Sequence, residues 1–349
     1  MTMLAEHVDV VIGVDTHKHT HTGAVVRAAT GAVVEKITVS TDPDGYAELI
    51  EMADRHAALR AWAIEGTGTY GADLTRHLGD AGELVLELDR PKRPPRRMGA
   101  KNDELDAVRT ARDALGREHN ATPRRGTDRA ALSVLLAGRR SAVEAAKVAQ
   151  VQLQALICAA PEQLRTKFRG QRSKTVTNTA ARLRVRGDWD LETRTYATVL
   201  RDLARRRIAL LKEAKTHDGA INLIVKSWRP DLLDDFGVGP IVAATILCAW
   251  SHTGRCRNDG AFAKLAGVAP IPASTGVTNR HRYNPFGDRQ LNRALHLIVV
   301  HRMRRDATTR AYTERRRGEG KTDREIRRCL KRYVARQLFR QLEQPVDSQ

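Results

Sequence analysis

Four carboxylates stand where a phosphodiester-cutting metal site would need them: Asp15, Glu65, Asp103 and Asp106. Asp15 closes the apolar run Val10-Val11-Ile12-Gly13-Val14, and Glu65 closes a second run, Ala61-Trp62-Ala63-Ile64. Asp103 and Asp106 are three residues apart in Lys101-Asn102-Asp103-Glu104-Leu105-Asp106-Ala107. A helix there puts both on one face and turns Glu104 away from it. Four acids brought together repel one another unless cations neutralise them. Two Mg²⁺ ions about 3.5–4 Å apart would do so, activating one oxygen and stabilising the leaving one. Taken singly, an acid at a strand end is more often a surface ion pair or a helix cap. Gly66, Gly68 and Gly71 follow Glu65 and would let a backbone approach closely. His17, His19 and His21 alternate just past Asp15; on a strand they would share one face, as a polar edge beside the acids more readily than as metal ligands.

Two other segments carry chemical potential. The run Leu232-Leu233-Asp234-Asp235-Phe236-Gly237-Val238-Gly239-Pro240 is similar to a helix-hairpin-helix. Its Gly237 and Gly239 would present backbone N–H groups at a helix start, where a phosphate binds without base reading. A plain helical turn with a glycine cap is the alternative. Further on, Gly267-Val268-Ala269-Pro270-Ile271-Pro272-Ala273-Ser274-Thr275-Gly276 makes a proline-fixed loop around Ser274. Arg280, His281 and Arg282 follow, then Gly287-Asp288-Arg289-Gln290-Leu291-Asn292-Arg293. Cations such as Arg280, Arg282, Arg289 and Arg293 could stabilise phosphoryl charge during attack by a serine hydroxyl. From spacing alone, a serine in a proline-rich turn is usually structural.

The elements that must position these residues follow from pattern. Residues 8–15, 23–28 and 32–39 read as strands, the last two joined in a hairpin at Thr30-Gly31. Asp42-Pro43-Asp44-Gly45 starts a helix to about residue 57, with an acid at the cap and proline just inside. Residues 60–65 read as a strand, 69–81 as a helix and 83–88 as a strand; a basic loop over 90–101 precedes a helix over 103–115. Three strands, helix, strand, helix, strand, helix is the order of an RNase H-like α/β core, although a fold alone establishes no activity. From Asp128 to about Ala160 a helix carries a seam at Leu132, Leu136, Arg139, Val143, Ala146, Gln150, Leu153 and Ile157, spaced as in a coiled coil. Arg139 and Gln150 weaken that seam, so a surface helix in a bundle and a dimer stem both fit it. A second helix from Glu192 to Lys215 could pack back on it, leaving Lys167 to Arg186 as an exposed basic tip. Residues 230–349 read as another helical domain. The expected division is 1–120, 121–229 and 230–349.

The charge names the partner class. Sixty Lys and Arg against 41 Asp and Glu leave +19 in 349 residues, which favours a polyanion over a neutral partner. Between His301 and Arg340, 15 Lys and Arg face 5 Asp and Glu. Aromatics at 4% offer few platforms for stacked single-stranded bases, so backbone contacts to duplexes are favoured. Cys158, Cys248, Cys256 and Cys329 form no C-x-x-C pair, which argues against structural zinc and fits a reduced, cytoplasmic setting. No apolar run reaches transmembrane length, and the N-terminus lacks the basic and apolar regions of a signal peptide, so no membrane partner is expected.

Together these residues resemble the IS-one-ten family of DEDD-type insertion-sequence transposases. The N-terminal resemblance lies in Gly13-Val14-Asp15, Glu65-Gly66-Thr67-Gly68 and Lys101 to Ala107. The C-terminal resemblance lies in Phe236-Gly237-Val238-Gly239, Phe262 to Pro270, Ser274-Thr275-Gly276 and Gly287 to Leu295. The resemblance implies an RNase H-like (RuvC-like) N-terminal domain, an α-helical coiled-coil middle and a mainly α-helical C-terminal transposase domain. It implies that Asp15, Glu65, Asp103 and Asp106 hold the metal and that a serine becomes covalently joined to DNA. It further implies a non-coding bridge RNA pairing with donor and target DNA, and tetramers whose sites combine domains of different subunits. Many relatives have serine directly before the loop glycine; here that residue is Thr275, and the role passes to Ser274, the only serine in the loop. Thr275 is the less favoured choice because its branched side chain is restricted. Two other readings fit the residues: a Mg²⁺-dependent junction resolvase using water as nucleophile, and a non-catalytic nucleic-acid-binding scaffold.

Overall fold

The structure is a computed structural model. It describes residues 3–56, 58–88, 102–272, 281–282 and 284–345, with the backbone alone at 272, 281 and 282. The chain divides into two compact units, Met1–Arg125 and Gly126–Gln349.

The first unit is a mixed five-stranded sheet with helices on both faces. Its strands are β1 (Val10–Thr16), β2 (Thr20–Arg27), β3 (Val33–Ser40), β4 (Arg60–Glu65) and β5 (Val85–Leu88). They are ordered β3-β2-β1-β4-β5. β1 to β3 run antiparallel as a meander, whereas β4 and β5 lie parallel to β1 and to each other. Parallel neighbours require crossovers, which α1 (Pro43–Asp54) and α2 (Ala72–Asp80) supply, and α3 (Asp103–Gly116) follows β5. Helix α1 begins as expected, with the Asp42 side chain accepting from Gly45 N and proline in the first turn.

The period-2 pattern sorts the strand residues between two cores. Val10, Ile12, Val14, Trp62, Ile64 and Val85 face Tyr46, Leu49, Met52, Leu74 and Leu78. Val11, Ala61, Ala63, Leu86 and Leu88 face Ala107, Val108, Ala111 and Ala114 of α3. The sheet thus carries α1 and α2 on one side and α3 on the other.

The second unit is helical: α4 (Thr127–Ala159), α5 (Glu162–Arg165), α6 (Ser173–Ala181), α7 (Leu191–Trp228), α8 (Pro240–Trp250), α9 (Asp259–Leu265), α10 (Arg289–Arg305), α11 (Ala307–Gly318) and α12 (Asp323–Leu342), with a small ribbon of β6 (Ile271–Pro272) and β7 (His281–Arg282). The seam expected on α4 is filled within the chain. Leu153 packs with Leu200 and Ala204 of α7, and the weak positions find polar partners: Arg139 pairs with Asp218, and Gln150 Oε1 accepts from Thr177 Oγ1 at 3.1 Å. Helix α7 runs on to Trp228 because Ile221 and Val225 continue into the core built by α8, α10 and α12. One end of the α4–α7 pair, at Leu132, Ile221 and Val225, therefore shares a core with the C-terminal helices, while its other end packs with α5 and α6 in cores of its own. The segment expected as an exposed basic tip does expose Lys167, Arg169, Arg172, Lys174, Arg182, Arg184 and Arg186, and it contains α6, whose Val176 and Ala180 are buried.

Candidate metal centre and nucleic-acid-facing elements

Asp15 and Glu65 occupy neighbouring positions at the C-terminal ends of two parallel strands. The β1–β4 register pairs Val14 with Ile64, and one step further it aligns Asp15 with Glu65. Thr16 Oγ1 ties the two ends together by donating to the Glu65 carbonyl at 2.9 Å. The turn after Glu65 is fixed by Thr67 Oγ1, which donates to Glu87 Oε1 of β5 at 3.0 Å. Asp15 and Glu65 alternate in step with Val11, Gly13, Ala61 and Ala63, and so belong to the α3 side of the sheet.

Helix α3 can lie directly on β1 because position 13 has no side chain. A Cβ on Gly13 would fall 2.0 Å from the Ala107 carbonyl oxygen, which no neighbour could relieve without moving the helix. One turn before Ala107, the first turn of α3 carries Asp103 and Asp106, and Asn102 caps it by accepting from Glu104 N at 2.9 Å.

The close group that results is Asp15, His17 and Asp103. His17 lies in the turn after β1, with Nε2 3.2 Å from Asp15 Oδ2 and 3.4 Å from Asp103 Oδ1. One ligand atom from each of the three lies within 4.8 Å of the others. Glu65 and Asp106 are not in that group; the Asp106 carboxylate accepts from Arg109 Nη1 at 2.9 Å. Glu104 pairs with Lys36 of β3 at 3.0 Å. Burial pushes the Asp15 carboxyl above the usual carboxylate range; the His17 ring opposes this, while the charges of Asp103 and Asp106 add to it. A carboxyl destabilised by burial and by two like charges is favoured in its ionised form once a cation binds.

The three histidines do not share a strand face. The tight β1–β2 turn separates them: His17 turns onto the acids, His19 is exposed, and only His21 lies on β2. His21 is fully buried and stacks on Tyr46 with ring centroids 5.9 Å apart. His17 is thus the member of the cluster that strand periodicity undervalues. Its signal is proximity in sequence to Asp15, not alternation.

In the second unit, the Gly237–Gly239 turn leads into α8 from a one-turn 3-10 helix, Pro230–Leu233, instead of from a full helix. The helix-hairpin-helix expectation is met on one arm only, because Leu232 is drawn into the core and Pro230 and Gly237 interrupt the backbone. Gly237 has φ +91° and packs beside Ile298 of α10. Gly239 is exposed at the start of α8.

Ser274, Thr275, Gly276 and Arg280 lie outside the described residues, and Arg282 is described by its backbone alone. The frame that carries their loop is defined. Ile271 pairs with Arg282 and Pro272 with His281, forming the base of the ribbon. Behind it, a Cβ on Gly287 would fall 2.6 Å from Gly267 N, so the two segments touch backbone to backbone. Asp288 caps α10 by accepting from Gln290 N and Leu291 N. Asn292 Nδ2 donates to the carbonyls of Ala266 and Gly267 at 2.7 and 3.3 Å. Arg289 and Arg293 are exposed on α10, with no ion-pair partner among the described residues.

Comparison with known proteins finds two matching family models. Residues 12–159 match the DEDD transposase model of the IS110 type, and residues 232–314 match the Transposase IS116/IS110/IS902 family. The chain is similar to the uncharacterized 43.6 kDa protein of insertion element IS110 from Streptomyces coelicolor, at 29% identity over 43% of this chain and 38% of the relative. It is similar to the uncharacterized 44.8 kDa protein of insertion element IS116 from Streptomyces clavuligerus, at 28% over 34% and 31%. A third relative is the uncharacterized 42 kDa protein of insertion element IS900 from Mycobacterium paratuberculosis, at 32% over 36% and 32%. Each match spans about a third of the relative's own length.

Proposed function

Because the chain belongs to the IS110 family of insertion-element transposases, we propose that it is a DNA recombinase that excises and integrates such an element by strand exchange. The observation that carries this reading is the convergence of Asp15, His17 and Asp103 where α3 crosses the end of β1. In a chain of net charge +19, that acidic cluster is a place for divalent cations and a phosphodiester. The N-terminal unit is read as RNase H-like of the RuvC-like kind: its meander, parallel extension and acids at strand ends support that reading.

The donor set fits Mg²⁺. Asp15 and Asp103 supply hard carboxylate oxygens, and Glu65 and Asp106 are the proposed further ligands that would complete the shell of two ions. His17 adds a nitrogen, which suits Mn²⁺ better than Mg²⁺. When bound, the metal supplies charge neutralisation at the phosphoryl group. The chain's own contribution is orientation: Gly13 sets the distance of α3 from the sheet, and Thr16 holds the two strand ends together.

Ser274 is the proposed nucleophile. Its hydroxyl loses a proton and forms a bond to phosphorus, a deoxyribose hydroxyl leaves, and the protein is then joined to one DNA end through a phosphodiester. Reversal with a different hydroxyl completes strand exchange. The acids belong to residues 1–125 and Ser274 to residues 126–349, and self-association as a dimer or tetramer is part of this proposal. A non-coding bridge RNA pairing with donor and target is the proposed source of sequence choice, consistent with the excess of cations and the scarcity of aromatics.

The test is covalent trapping of labelled DNA on the full chain with Mg²⁺ and the RNA transcribed beside the gene. An adduct that persists in Thr275→Ala and vanishes in Ser274→Ala and in Asp103→Asn is the expected result. Cleavage by Ser274→Ala without any adduct would overturn the serine step and leave a water-dependent nuclease.

A further inference from the structure

Helix α12 reaches across to α10 through Lys331, among other contacts. Lys331 Nζ donates to Asn292 Oδ1 at 2.9 Å, and the other end of the same amide holds the Ala266 and Gly267 carbonyls. The chain runs from Gly267 directly into β6. A cation on α12 is thus linked, through a single side chain, to the backbone that leads into the serine loop.

The surroundings of Lys331 are cationic. Arg327 lies one turn before it on α12, Arg328 three residues before it, and His296 one turn after Asn292 on α10. None of Lys331, Arg327, Arg328 and His296 has a side-chain carboxylate within ion-pair distance among the described residues; Arg327 Nε donates only to the Asp323 carbonyl, at 3.0 Å. This is local to the α10–α12 seam. Arg332, the next residue after Lys331, and Arg336, a turn beyond it, share Asp259, and Arg317 at the end of α11 pairs with Asp323. Lys331 and His296 are also partly buried. Burial, with Arg327 and Arg328 adding to it, holds the Lys331 ammonium below the usual lysine range. Burial does the same to His296, with Lys331 and Arg327 adding to it. Asp323 and Glu325 offset part of the charge of Arg327 and Arg328, but Lys331 has like charges beside it and no carboxylate within ion-pair distance, so an anion reaching the seam from solvent would stabilise it.

We propose that Lys331, Arg327 and His296 form a subsite for one phosphodiester of the nucleic-acid backbone, and that Lys331 couples its occupancy through Asn292 to the Ala266–Gly267 backbone. The subsite rests on the nucleic-acid reading above and adds a place and a purpose to it: a backbone phosphate docked here sets the strand in register with the loop that carries Ser274. Lys331 and Asn292 are positioning residues in this arrangement.

Binding of the full chain to a short mixed-sequence DNA duplex, and to single-stranded RNA of the same sequence, is measured across a salt series. One phosphate contact contributes about 0.9 to the slope of log K against log salt on duplex DNA and about 0.7 on single strands. Lys331→Gln is expected to make the slope shallower by about that amount on the nucleic acid that uses the subsite, and Arg327→Gln to do likewise. Lys331→Arg, which keeps the charge, is expected to restore it. Loss on the duplex assigns the phosphate to DNA, and loss on the single strand assigns it to RNA. Asn292→Ala separates the two roles: the slope stays and the Ser274 adduct yield falls. A steep wild-type slope that is unchanged in both Lys331→Gln and Arg327→Gln overturns the subsite and leaves the recombinase reading intact. A wild type that binds neither nucleic acid overturns both.

Discussion

Asp15 and His17 form the most informative pair of residues in the molecule. Asp15 is 9% exposed and has Asp103 and Asp106 for neighbours, so the acidic cluster is stable only with compensation, and His17 is the compensating group the chain itself provides. A ligand that binds the folded state alone raises stability with its concentration, by about 2.7 kcal/mol at a hundredfold excess over its dissociation constant. Mg²⁺ is therefore expected to raise the melting temperature of the wild type and to leave that of Asp15→Asn unchanged, as read by differential scanning fluorimetry in chelator-treated buffer. His17→Ala should weaken the response to Mn²⁺ more than the response to Mg²⁺. A second pair, remote from the acids, tests structural electrostatics. Arg60 and Glu83 are nearly buried, and Trp62 Nε1 also donates to Glu83 at 2.8 Å. The Arg60 guanidinium, with Trp62, holds the Glu83 carboxyl below the usual range against the opposing effect of burial. Because the folded value is the lower one, this stabilisation is complete above the unfolded value of about 4.3 and is lost as pH falls through the folded value. Glu83→Gln should cost about 2 kcal/mol at neutral pH and flatten the acid limb of a urea-denaturation series.

At the scale of elements, Gly13 determines whether the site exists. A methyl group at that position must displace α3, since its nearest neighbour is a helix carbonyl at 2.0 Å. Gly13→Ala should cost about 3 kcal/mol and, in the fraction that still folds, abolish the Mg²⁺-dependent rise in melting temperature. The positions of Asp15 and Glu65 at strand ends, of Asp103 and Asp106 in the first turn of a helix, and the strand–helix order were legible in the sequence because apolar runs end sharply at Asp15 and Glu65 and helical spacing is regular over 103–115. The place of His17 was not, because alternation assumes a continuous strand and β1 turns back after Thr16. The extension of α7 to Trp228 was hidden for a different reason: Ile221 and Val225 make sense only against helices that come later in the chain. The role of Gly13 was masked by its position in an apolar run, where a missing side chain has no meaning until the helix above it is known. The serine loop lies outside the described residues, and the frame at Asn292, Gly267 and Gly287 emerged only from packing.

On the scale of the whole molecule, the two units hold different chemistries. Acids gather at one end of the sheet in residues 1–125, whereas in residues 126–349 Arg289 and Arg293 of α10 and Arg327, Arg328 and Lys331 of α12 have no ion-pair partner among the described residues. No described helix is long and apolar enough to cross a membrane. A protein carrying +19 should bind nucleic acid with a steep dependence on ionic strength. Its affinity for a mixed-sequence duplex is therefore expected to fall by at least about a hundredfold between 50 and 200 mM salt if five or more phosphates are engaged, as measured by fluorescence anisotropy. The Asp15–His17–Asp103 cluster has a further consequence, in time. Its members come from the first strand and the last helix of their unit, so the ribosome must release the entire sheet and then α3 before the cluster can close. At synthesis rates of about 5–20 residues per second, Asp15 waits several seconds for Asp103. During that interval the nascent sheet has no assembled acidic centre, so the metal site proposed for it can form only when the unit is finished.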